Sequence, residues 1–168
     1  MIRSVLYATD LGIYAPYVMQ HALALARGFN AELYVIHAVE PFGMFAESVL
    51  QSYLDEGALK DLRNKGITAV MASIEQRVLE SFRDEMKEGE RDLQSIRAVR
   101  VRQGDPAEVI LDQAQRLEVD LLVVGSHAGN HGPGAHTPLG RTAARVLQLA
   151  KVPVYMVPMV QHEGRRGV

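Results

Sequence analysis

The stretch that most constrains this chain runs from Asp120 to Pro158, DLLVVGSHAGNHGPGAHTPLGRTAARVLQLAKVPVYMVP. Leu121-Leu122-Val123-Val124 is a short apolar run between Asp120 and Gly125, the pattern of a strand buried on both faces. Gly125 to Gly140 then holds five glycines, two prolines and three histidines, which excludes regular structure. Residues 141–151 predict a helix, with Ala144, Val146, Leu147 and Ala150 near helical spacing and Lys151 in the last turn. Val152-Pro153 stops it, and Val154-Tyr155-Met156-Val157 predicts a second strand. A glycine-rich loop that ends on a helix start presents backbone N–H groups and the positive end of a helix dipole. In principle that is an anion site, most often for phosphate, although such loops also serve merely as turns.

The rest of the chain repeats the alternation of strand and helix. Ser4–Thr9 predicts the first strand, closed by Asp10. Pro16 suits the first turn of a helix, Ala22, Leu23, Leu25 and Ala26 give it an apolar face, and Gly28 is the expected stop. Residues 31–39 predict the second strand. Residues 42–64 read as an insert over the sheet edge, and a long helix is expected over about 68–88, with Ile74, Val78, Phe82 and Met86 at steps of four. Ile96–Arg102 is the third strand, and its Arg97, Arg100 and Arg102 suit a sheet edge. Asp105 as N-cap and Pro106 behind it open the next helix, with Val109, Ile110, Ala114 and Leu117 toward the core. Residues 1–160 thus form a single expected domain, followed by a polar tail over 161–168.

Strands and helices in strict alternation predict a parallel sheet with helices on both faces, joined by right-handed crossovers. Ligands of such sheets bind beyond the carboxyl ends of the strands, where the strand order reverses. Asp10 and Gly125 stand at two such ends. If their strands are neighbours, Asp10 faces the glycine-rich loop and can accept from a ribose hydroxyl or an adenine amine.

Composition removes several function classes. A formal net charge of -2 supplies no basic field for nucleic acid or an anionic membrane, so neither is an expected partner. The absence of cysteine excludes disulfides, thiolate metal sites and cysteine nucleophiles. MIRSVLYATD enters a strand directly, without a signal-peptide core, so a cytoplasmic location is expected. His127, His131 and His136 lie close together but share their loop with no Cys, Asp or Glu, and are read as exposed loop residues; no metal site is expected. His21 and His37 are read as structural. No G-x-S-x-G surrounds Ser126, and the chain has no G-x-x-x-x-G-K-[ST].

Together these stretches resemble the universal stress protein family: Ala8-Thr9-Asp10 closing the first strand, His37-Ala38-Val39 closing the second, Gly104-Asp105-Pro106-Ala107-Glu108 opening a helix, Asp120 to His127, and Val152-Pro153-Val154. The resemblance covers nearly the whole chain apart from residues 42–64. It implies a Rossmann-like five-stranded parallel sheet of order 3-2-1-4-5 and a homodimer through the last strand, Val154–Val157. Many members bind ATP through Gly, two residues, Gly, nine residues, Gly, then Ser or Thr. Here Gly125 takes the first position, Ala128 stands where the second Gly belongs, and Gly129 comes one residue late. The loop to Gly140 is about two residues longer than that pattern, and Arg141 displaces the Ser/Thr to Thr142.

Carried over residue by residue, the resemblance implies that Ala8, Thr9 and Asp10 hold the adenosine and that Val39 touches the adenine. Gly125, Ser126, His127, Gly129, Gly140 and Thr142 take the phosphate and ribose end. Arg141, without a family counterpart, adds a charged donor suited to phosphate. The expected ligand is ATP or AMP, with Mg²⁺ as an accessory, bound by a dimeric regulatory protein that also serves a protein partner. The alternatives are a dimeric adaptor without nucleotide and, below it, a weak ATPase. No general base is evident near a γ-phosphate, so at most slow ATP hydrolysis is expected.

Overall fold

In the computed structural model, the residues described are 1–11, 14–40, 72–77, 80, 95–126 and 139–158. The elements follow in the order β1 (Ser4–Thr9), α1 (Ala15–Phe29), β2 (Glu32–Val39), β3 (Ile96–Gln103), α2 (Pro106–Arg116), β4 (Leu121–Gly125), α3 (Arg141–Leu149) and β5 (Val154–Val157). Residues 72–77, ahead of β3, are also helical. All five strands are parallel, in the order β3-β2-β1-β4-β5. This is the expected doubly wound sheet.

The even and odd residues of β1 build two separate cores, because successive side chains of a strand point to opposite faces. Val5 and Tyr7 pack with Val18, Met19 and Ala22 of α1 and with Ile74. Leu6 packs on the other face with Ile110 and Ala114 of α2 and Val146 of α3. Burial on both sides explains why β4 reads as an unbroken apolar run: Leu121 to Val124 are all buried. The buried Tyr7 hydroxyl donates to the Ala15 carbonyl at 3.0 Å, tying the first residue of α1 to the strand beneath it.

The helix ends differ from expectation at two places. α1 passes through Gly28 and stops at Asn30, which adopts the left-handed conformation (φ 51°) and donates its N–H to Ala26 and Arg27 carbonyls. Asn tolerates that conformation better than other residues with a Cβ, so it does what was expected of the glycine. α3 ends at Leu149 rather than Lys151, because Ala150 is already extended (ψ 138°) on the approach to Pro153. Leu147, expected on the apolar face, is 40 % exposed, and Ala143 and Val146 take the buried positions.

The start of α2 is as expected and carries more than its cap. Asp105 Oδ2 accepts from the Glu108 N–H at 3.2 Å and from Arg145 of α3 at 2.8 Å. One carboxylate therefore closes α2 and fastens α3 to it. At the opposite, amino end of the sheet, Asp120 Oδ2 accepts from the Arg3 and Ser4 N–H groups at 2.8 and 3.1 Å. These bonds hold its carboxyl below the usual carboxylate range.

Candidate functional site at the switch between β1 and β4

β1 leads through α1 to β2 on one side, and β4 leads through α3 to β5 on the other. The strand order therefore reverses between β1 and β4, which lie side by side with Ala8 opposite Val124. Asp10 follows β1 and Ser126 follows β4, so the sequence-derived residues of the two strands stand at the same, carboxyl end of neighbouring strands.

On the β1 side the chain makes a tight turn. Thr9 is buried, and its Oγ1 accepts from the Leu11 N–H at 3.1 Å. Leu11 has φ 58°, a left-handed conformation that costs an L-residue roughly 1–2 kcal/mol. Asp10, between them, is exposed. Below the turn, Thr9 is the register partner of His37 on β2, and the His37 Nδ1–H donates to the Thr9 carbonyl at 2.9 Å. Val39, buried at the end of β2, accepts from the Gly104 N–H at 2.9 Å.

On the β4 side the glycine-rich loop is closed at its base. The Gly140 N–H donates to the Ser126 carbonyl at 2.7 Å, and the Ser126 N–H donates to Val157 at 3.0 Å. Ser126 is buried, so its peptide groups serve the fold and α3 starts directly above β4. Gly140 is the N-cap of α3; it supplies no side-chain cap, and no acidic residue lies in the first turn. Arg141 is exposed and Thr142 half-buried at that start. His127 and Gly129, together with His131 and His136, lie outside the described residues.

The three labelled helices differ in a way that bears on chemistry. α1 and α3, which follow the two central strands, begin without a side-chain cap and without an acidic residue in the first turn. α2, which follows the edge strand β3, begins with the Asp105 cap and Glu108. Leading N–H groups of a helix need an acceptor, and the dipole favours a negative one. At α2 the protein supplies that acceptor from its N-cap side chain; the N-cap residues of α1 and α3, Tyr14 and Gly140, do not. Among the described residues no group of three or more His, Asp or Glu could hold a metal ion.

His37 is the site's buried titratable group. Burial pushes its pKa below the ordinary 6.5, while the Thr9 carbonyl and the Asp10 carboxylate pull upward more weakly. The imidazole is therefore neutral when folded. Below the unfolded value the unfolded chain takes up a proton that the folded chain refuses, so stability falls as pH drops from 6.5 toward the folded pKa and then levels off. Urea unfolding at about pH 7.5 and about pH 5.5 is expected to show this loss in the native protein and a smaller one in His37→Asn; equal losses would contradict it.

Sequence reasoning placed Asp10, Gly125, Gly140 and Thr142 around the crevice but missed Leu11 and the His37–Thr9 bond. No sequence signal marks a leucine for positive φ, and the His37–Thr9 bond depends on the register of two strands 28 positions apart.

Comparison with known proteins adds to this geometry. The model of the universal stress protein family matches residues 1–158. The universal stress protein of Methanothermobacter thermautotrophicus is 28 % identical over 163 residues, covering 95 % of this chain and 98 % of that protein. Universal stress protein A homolog 2 of Coxiella burnetii is 30 % identical over 141 residues, 83 % of each chain. Among solved structures, universal stress protein UspA from Lactobacillus plantarum matches with a TM-score of 0.59 at 18 % identity, over 93 % of this chain and 97 % of that one. A universal stress protein in complex with cAMP matches with a TM-score of 0.52 at 19 % identity, over 94 % and 97 %. The structures support the fold, the sequence matches span nearly its whole length, and the chain belongs to the universal stress protein family.

Proposed function

We propose that this protein binds an adenine nucleotide, ATP or AMP, in the crevice between β1 and β4 and acts as a dimeric regulatory protein. The observation that carries the reading is the contrast in helix starts: the two helices at the switch point begin without a side-chain cap and without an acidic residue in the first turn, and α2 begins with both. Asp10 stands across the crevice as an acceptor for ribose or adenine. The Gly140, Arg141 and Thr142 end takes the phosphates, and Arg141 adds charge there. Val39 closes the adenine side. Mg²⁺, where present, would be held mainly by the phosphates and water and would neutralise their charge. The complex of a structural relative with cAMP supports an adenine ligand for this fold. Calorimetry with ATP, AMP and cAMP tests the reading. Binding of ATP or AMP with one nucleotide per chain is expected; no heat at millimolar ligand would leave the dimeric adaptor in its place.

The dimer would form on β5. The Pro153 and Val157 carbonyls accept from the Leu122 and Ser126 N–H groups, so the peptide groups of Val154 and Met156 turn to the outer edge. Among the described residues no strand pairs with that edge. Tyr155 and Tyr17 are exposed on one flank, where Tyr155 bonds His21 at 2.9 Å. Leu147 lies about 200° around α3 from Arg145, and so away from α2. An apolar-flanked, unpaired edge favours pairing with a second copy. Met156→Pro removes one outward N–H without touching the β4 ladder, and light scattering is expected to show a dimer become a monomer. A dimer that persists in Met156→Pro would move the interface elsewhere.

A further inference from the structure

We propose that His37 is a positioning residue for the nucleotide site, holding through the Thr9 carbonyl the turn that carries Asp10. The inference rests on the nucleotide reading above and deepens it.

The bonds form a chain. The acceptor at 2.9 Å is a carbonyl, so the proton must sit on Nδ1. His37 is 3 % exposed, which fixes the ring in one orientation. The Thr9 peptide is thus held from β2, and the Thr9 hydroxyl in turn holds the Leu11 N–H at 3.1 Å. Both ends of the turn at Asp10 are anchored on one residue, and that residue is anchored on His37. Leu11 adopts a conformation that a free chain avoids (φ 58°), so the turn persists only because its surroundings impose it. A ligand acceptor held in this way loses little freedom on binding, which is where preorganised sites gain affinity. The Asp10 carboxylate also acts electrostatically on the imidazole. A ligand that neutralises or desolvates Asp10 is therefore felt at His37.

Two substitutions separate positioning from plain packing. His37→Leu fills the space and removes the donor. His37→Asn is smaller but can place an amide N–H near the former Nδ1. AMP affinity by calorimetry is expected to fall roughly tenfold in His37→Leu and to recover to within about threefold in His37→Asn. A packing role predicts the reverse order, since Asn leaves the larger cavity. If His37→Leu does not fold, NMR of histidine-labelled native protein carries the test: AMP is expected to shift the His37 resonances and leave those of His21, which packs on Tyr155, in place. A folded His37→Leu with native affinity, an Asn variant no better than Leu, or an unmoved His37 at saturation would overturn the proposal. Native protein that binds no nucleotide would overturn the parent reading as well; native protein that binds while His37→Leu binds equally well would overturn this inference alone.

Discussion

Asp10→Ala is expected to weaken AMP and ATP binding about 10- to 100-fold and to leave the dimer intact. Hydrogen bonds to a charged acceptor contribute roughly 1.5–3 kcal/mol, and about 1.4 kcal/mol is a tenfold change. Asp10 is exposed at the carboxyl end of β1, and β4 separates β1 from the β5 edge, so the loss should appear in affinity and not in assembly. Asp10→Asn, which keeps an acceptor but not the charge, should fall between. Calorimetry gives the affinities and light scattering the assembly. Native affinity in Asp10→Ala would remove Asp10 from the site and with it the adenosine half of the proposed pose.

Gly104→Ala is expected to be the most damaging of the small substitutions, at about 2–4 kcal/mol. Gly104 has φ 152°, outside the range that L-residues favour, and a Cβ there would stand 2.8 Å from Val109 Cγ2. Its N–H also holds the Val39 carbonyl, and Asp105 beside it caps α2 and binds Arg145. One added methyl therefore presses on the end of β2 and on the α2–α3 junction together. Thermal melting should fall by roughly 4–16 °C, taking about 2–4 °C per kcal/mol for a chain of this size. A melt within a degree of native would mean that Val109 and the backbone move aside freely.

The sheet was legible because its signals are local. β1 and β5 have the bounds that their apolar runs predicted, and Asp105-Pro106 marked the start of α2 by the chemistry of capping. The strand order came from the family resemblance, which rests on motifs spread along the chain. Less legible were features that only the folded register creates. Arg145 and Asp105 are 40 positions apart, and nothing in either neighbourhood announces the pair. Exposed Leu147 broke the periodicity argument, since spacing alone cannot tell a core-facing leucine from a solvent-facing one. His37 was read as structural from the sequence; the structure buries it and bonds it to the Thr9 carbonyl, a partner that only the strand register reveals. His127 and Gly129, like residues 42–64 and the tail over 161–168, lie outside the described residues.

The bond between Gly140 N–H and Ser126 carbonyl separates two things that the sequence pattern joins: how long the loop is, and where α3 begins. With the base pinched, lengthening the excursion by two residues costs only loop-closure entropy, about 0.1 kcal/mol at this length. The start of α3, where the proposed pose puts the phosphates, is then set by that bond and not by the count of residues before it. The same bond, fixing Ser126 and Gly140 together, makes the interval between them a natural insertion point for engineering. A reporter peptide spliced there would have its two ends fixed on β4 and α3 and, under the proposed binding mode, would turn nucleotide occupancy into a readable signal.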